Sequence, residues 1–209
     1  MKRSKLRKLV LAGMFLALSY LMPFLTGQIP KFGSMLCPMH IPVLLCGFFC
    51  GWYYGLAVGF IAPLLRALTL GMPPLFPTAI CMAFELAAYG MLTGIFHKLF
   101  QGKKALALPQ TICLVFEFVT YGMATGLSHK LFRIKKAPVL PTLLIAMILG
   151  RIVWGAAMFI LVGASGGAFT FSAFLAGAFL NAWPGILLQI IFVPPLVIIL
   201  DNPKLLRFN

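Results

Sequence analysis

Acidic residues are nearly missing from this chain: Glu85, Glu117 and Asp201 are the only three, against 17 lysines and arginines in 209 residues. Charged residues of both signs make up 10% of the chain and apolar ones 62%, with a mean hydropathy of +1.04. That balance excludes a soluble globular domain, which needs polar side chains to cover its exterior. The apolar runs also lack the one-on, one-off alternation of a lipid-facing strand, which excludes a β-barrel. HExxH, GxSxG and paired aspartates are all missing, so an intramembrane enzyme is not expected. The phosphate-cradling GxxxxGK[ST] is missing too, and any use of ATP would have to come from other subunits. The five cysteines, Cys37, Cys46, Cys50, Cys81 and Cys113, form no CxxC pair and read as small apolar packing residues. No metal and no cofactor is expected.

What is present is a series of long apolar stretches. A helix rising ~1.5 Å per residue needs roughly 18 to 25 residues to cross a ~30 Å hydrocarbon core. The chain therefore predicts an all-α, polytopic membrane helical bundle in one membrane domain, 1–209. Its spans are expected at about 8–26, 38–52, 53–71, 77–98, 109–128, 141–163 and 173–200. Gly51, Trp52, Tyr53, Tyr54 and Gly55 would form a tight aromatic turn between the second and third. The first run follows a basic block, as a signal peptide does, but it has no small-residue cleavage site and continues through Tyr20 and Pro23. It reads as a helix that is kept.

A tandem repeat interrupts this plan. PTAICMAFELAAYGMLTGIFHKLFQGKK, from Pro77 to Lys104, returns as PQTICLVFEFVTYGMATGLSHKLFRIKK from Pro109 to Lys136, at an offset of 32 residues. Each copy is one membrane-length helix followed by a basic loop. The net charge of +14 lies in blocks at span ends: Lys2 to Lys8, Lys98 to Lys104, Lys130 to Lys136, and Lys204 with Arg207. Such blocks mark cytoplasmic loops and face anionic lipid, so the partner they imply is the bilayer and not nucleic acid. With a cytoplasmic amino terminus, seven full crossings would put the last two blocks outside. Six crossings put every block inside. The second copy is the more polar one, with Thr111, Thr120 and Ser128 where the first has Ala79, Ala88 and Phe96. The expectation is a six-span core plus one extra repeat helix, re-entrant, interfacial or peripheral.

Three stretches resemble the substrate-binding S component of energy-coupling factor (ECF) transporters: LMPFLTGQIPKFGSMLCPMHIPVLLCGFFCGWYYGLAVGF from Leu21, LLRALTLGMPPLFPTAICMAFELAAYG from Leu64, and ILGRIVWGAAMF with FLAGAFLNAWPGILLQ further on. The resemblance implies a plasma-membrane subunit that binds a vitamin or related micronutrient from outside. It also implies association with a membrane T component and two cytoplasmic ATPase subunits. The family scaffold serves riboflavin, folate, pantothenate, thiamine, biotin and pyridoxine. The MHIPV stretch is similar to the pantothenate-like branch and the general layout equally suits riboflavin. In the first helix, Ala12, Gly13 and Ala17 resemble the small-residue motif by which the family meets the T component. By spacing alone, Gly13 and Ala17 serve ordinary helix packing equally well.

Polar groups inside a span are costly and each needs a partner or a purpose. Counted from the outer end of a six-span threading at ~1.5 Å per residue, Arg66 lies about 8 Å deep, Glu85 and Asn181 about 12 Å, and Trp154 about 14 Å. Tyr89 falls one turn below Glu85, and Arg151 nearly one turn below Trp154. A carboxylate, guanidiniums, a carboxamide and rings in one layer could orient a small polar molecule, so Arg66, Glu85, Tyr89, Arg151, Trp154, Asn181, Trp183 and His40 are the candidate substrate-binding residues. Pairs Arg66–Glu85 or Arg151–Glu85 could equally be structural ion pairs, and Asn181 interhelical glue. His97 and His129 belong to basic loops. The competing function is an autonomous proton-coupled carrier with Glu85 as its relay.

Overall fold

The structure is a computed structural model and describes residues 2–26, 36–101, 139–167 and 169–200. The second repeat copy, with Glu117, His129 and the expected extra helix at 109–128, lies outside the described residues. Within them the protein is all-α, with no strand. Helix α1 spans Lys2–Leu21 and ends in a tighter turn, Met22–Thr26; α2 is His40–Cys50; α3 is Trp52–Leu70; α4 is Ile80–Gln101; α5 is Val139–Ala164. The last crossing is broken into α6, Phe171–Leu175, a wide turn Ala176–Leu180, and α7, Trp183–Leu200. Five helical stretches are long and apolar enough to cross a membrane, and α2, with 11 residues, is a shorter apolar helix.

The α2–α3 turn is tighter than the expected aromatic turn. Gly51 alone makes it, at φ 94° and ψ 175°, and Trp52 to Gly55 already belong to α3. Only glycine takes that backbone conformation without a Cβ clash. The freed aromatic pair Trp52 and Tyr53 stacks at a ring-centroid distance of 3.5 Å. The other end of α3 stops at Gly71, left-handed at φ 67°, whose N–H returns to Ala67 O.

Close backbone approach then fixes the middle of the bundle. A Cβ on Gly55 would strike the carbonyl of Gly90, one on Gly90 would strike Gly55, and one on Gly59 would strike the carbonyl of Leu86. Small residues at a helix crossing let dispersion contacts form between backbones, which matters in lipid, where apolar side chains gain nothing by leaving the tails. Thus α3 and α4 meet along a glycine seam, with Gly47 of α2 against Thr93. Around it sits one apolar cluster that includes Val43, Leu44, Cys46, Leu86, Leu143 and Val193.

The break between α6 and α7 follows from Pro184. Its ring nitrogen has no hydrogen to donate to Leu180, and the chain takes a turn at Asn181 and Ala182 before restarting. The wide turn is closed by the N–H of Asn181 donating to Ala176 O at 2.8 Å. Thr170 caps α6, its hydroxyl accepting from the N–H of Ala173.

Candidate functional site

Glu85 is the only acidic residue among the described residues, and it is 2% exposed. It sits in the second turn of α4, where the glycine seam presses α4 against α3 and leaves its other face toward α2 and α5. From α5, Arg151 brings Nη1 to 3.1 Å from Glu85 Oε1. From the first residue of α2, His40 places Nε2 at 3.6 Å from the same oxygen. Tyr89, one turn along α4, packs its ring edge against His40 at 5.3 Å between centroids. The four side chains come from three helices and meet at one point.

Two small features make that meeting geometrically feasible. A Cβ on Gly150 would overlap the ring of Tyr89, so only glycine there lets α5 approach closely enough for its neighbour Arg151 to reach Glu85. The chain just before α2 turns back so that the carbonyl of Cys37 lies 3.1 Å from His40 Nδ1 and 3.1 Å from the backbone N–H of His40. A carbonyl only accepts, so Nδ1 carries a proton and the ring is held with Nε2 toward Glu85. Burial pushes the Cys37 thiol up from its usual pKa, against the opposing pull of Arg151. It is a neutral group at the edge of the cluster.

The cluster is not self-satisfied. His40 Nε2, Glu85 Oε1, Tyr89 OH and both Nε and Nη2 of Arg151 are buried without a hydrogen-bond partner among the described residues. The Arg151–Glu85 pair is thus an ion pair by distance without an aligned N–H···O bond. Buried polar groups are normally paired, and a concentration of unpaired ones in one place is chemically incomplete without something that complements them.

The remaining candidates fall elsewhere. Arg66 donates from Nε to the carbonyl of Met72 at 3.0 Å, tying the end of α3 to the loop that follows. Of the two pairings open in the sequence, Arg151–Glu85 is the one at contact distance. Trp154 joins an aromatic group, 6.1 Å from Phe169 and 6.4 Å from Phe174 between centroids, with its indole filling the space a Cβ on Gly177 would need. Asn181 and Trp183 are exposed at the α6–α7 break, Trp183 by 57%. On α1, Ala12 turns inward while Gly13 and Ala17 are exposed. His97, expected in a basic loop, lies within α4 and packs edge-on against Phe48 at 5.0 Å.

Sequence reasoning missed Cys37, Gly150 and Gln189. Gln189 of α7 is fully buried with neither amide atom hydrogen-bonded among the described residues. Its signal was visible, a lone carboxamide in the apolar run ILLQIIF. Gly150 and the Cys37 carbonyl gave none, because both act through backbone position.

Comparison with protein-family models matches residues 7–197 to the ECF transporter, substrate-specific component. The chain belongs to this family. Comparison with curated proteins and with solved structures returns no match. As an ECF substrate-specific component it is a multi-pass plasma-membrane protein and a transporter subunit, and all four residues of its buried cluster lie within the matched stretch.

Proposed function

We propose that this ECF substrate-specific component captures a vitamin or related micronutrient on the outer side of the membrane. It would pass the substrate inward in a complex with a membrane T component and two cytoplasmic ATPases. The observation that carries the reading is the buried, chemically incomplete cluster of His40, Glu85, Tyr89 and Arg151 in a chain of this family. Pre-positioned donors and acceptors at the meeting point of three helices are what orientation of a small polar molecule requires. Because the sequence contains no phosphate-binding loop, energy would come from the partners.

Uptake into proteoliposomes tests this directly. Transport is expected only when the T component, both ATPases and ATP are present, and uptake by the isolated subunit would overturn the assignment. A second reading, the autonomous proton-coupled carrier, is favoured by the 3.6 Å approach of His40 Nε2 to Glu85. It predicts solitary uptake that depends on pH and vanishes in Glu85→Gln.

The partner face we assign is the outward stripe of α1. Gly13 has nothing within 4 Å of where a Cβ would stand, and Leu9, Met14, Ala17 and Leu18 flank it, all exposed. In lipid such a stripe offers a backbone-deep groove to another helix. The amino terminus is assigned to the cytoplasm on the basic residues from Lys2 to Lys8.

A further inference from the structure

We infer that the substrate carries a carboxylate and that the Nε/Nη2 edge of Arg151 receives it. The inference rests on the substrate-binding reading above and names the chemistry of the molecule for that same site.

The free edge of the guanidinium is the first observation. Arg151 is 6% exposed and spends Nη1 on Glu85, while Nε and Nη2 have no hydrogen-bond partner among the described residues. Those two nitrogens present parallel N–H bonds in one plane, a spacing that matches the two oxygens of a carboxylate. A hydroxyl or a lone carbonyl would satisfy one donor and leave the other buried and unpaired, at a cost comparable to what the first bond gains.

Charge is the second. His40, Glu85, Tyr89 and Arg151 are all at most 6% exposed, and the Nε/Nη2 edge of Arg151 has no acceptor among the described residues. A buried guanidinium edge is complemented best by an anionic acceptor, whose hydrogen bonds to it are charge-assisted. A cation would be repelled by it. A phosphate monoester, at about −1.5 to −2 near neutral pH, would set more negative charge beside the Glu85 carboxyl than a carboxylate does.

The surroundings supply the third. Trp154 lies three residues beyond Arg151 on the same face of α5, within the aromatic group of Phe169 and Phe174. An apolar platform one turn from the guanidinium suits a small organic acid with a hydrocarbon or ring body.

The test uses the full chain, purified in detergent and washed free of ligand. The probe is a small-molecule extract of rich growth medium, split on a strong anion exchanger at mildly alkaline pH, and the readout is the shift in Tm with each fraction. The stabilising activity is expected in the retained fraction, unaffected by alkaline phosphatase and abolished by methyl esterification. Arg151→Lys keeps a charge opposite Glu85 but not the two-donor edge, and it should need at least about tenfold more of the fraction for the same shift. Should that variant not fold, the esterification result on the unaltered protein decides alone. Activity in the unretained fraction, survival of esterification, or loss on phosphatase treatment would overturn the carboxylate. Stabilisation by neither fraction would defeat the substrate-binding reading itself, and the inference with it.

Discussion

At the scale of single residues, the cluster around Glu85 separates stability from binding. Breaking a buried ion pair by removing one partner strands the other charge, so Glu85→Met should destabilise the protein by about 3–5 kcal/mol. Removing both, in Glu85→Met with Arg151→Met, should recover much of that loss, since a hydrophobic pair of similar volume is often as stable in the same place. Denaturation of the single and double variants beside the unaltered protein, in detergent, measures the recovery. A double variant no more stable than the single would mean that the stranded Arg151 charge is not what destabilises Glu85→Met. Substrate binding should be lost in both. Gly150→Val is the complementary change: it drives two γ-methyls into the ring of Tyr89, with an expected cost of about 1–3 kcal/mol. The same unfolding assay reads it, and a neutral result would mean that α5 is free to move away from Tyr89.

At the scale of elements, glycines decide how the helices meet, and their roles differ by what a Cβ would encounter. Gly51→Ala should cost about 1–3 kcal/mol, because φ 94° is closed to residues with a Cβ. Loss of thermal stability with no change in partner association would check that. Gly55→Leu collides with the backbone at Gly90 and should prevent α3 from seating on α4, read as loss of a monodisperse species on size exclusion. Gly13→Leu enters open space, so the subunit should keep its Tm while co-purifying less T component. If Gly13→Leu leaves association intact, the partner binds another face.

At the scale of the whole molecule, the repeated segment from Pro109 to Lys136 has to be reconciled with the expected six crossings. The described helices give the core: α1, the short α2, α3, α4, α5 and the broken α6–α7 crossing. On the positive-inside pattern we propose that the second copy adds no full crossing. Cysteines introduced at Ser128 and Ala137 in a cysteine-free background should resist an impermeant maleimide added from outside, and react once the membrane is opened. Labelling from outside would establish a seventh crossing and place two basic blocks on the outer side.

Membrane residence and helical class were determined by the sequence alone, because in lipid every backbone polar group must be bonded within its own segment and the long apolar runs have the length to do it. That Glu85 needs a partner was legible for a related reason: a lone carboxylate in an apolar run cannot stay unpaired. Which partner it has was not legible. Arg66 and Arg151 flank the depth of Glu85, one from above and one from below, and only the rotation of α5 against α4, permitted by Gly150 under the ring of Tyr89, brings Arg151 into contact while Arg66 bonds the Met72 carbonyl instead. Asn181 and Trp183 likewise share the expected depth but face outward at the break before Pro184. Depth is a one-dimensional quantity carried by residue count, whereas facing depends on the angle at which each helix is packed, and that angle is set by contacts between segments far apart in the chain.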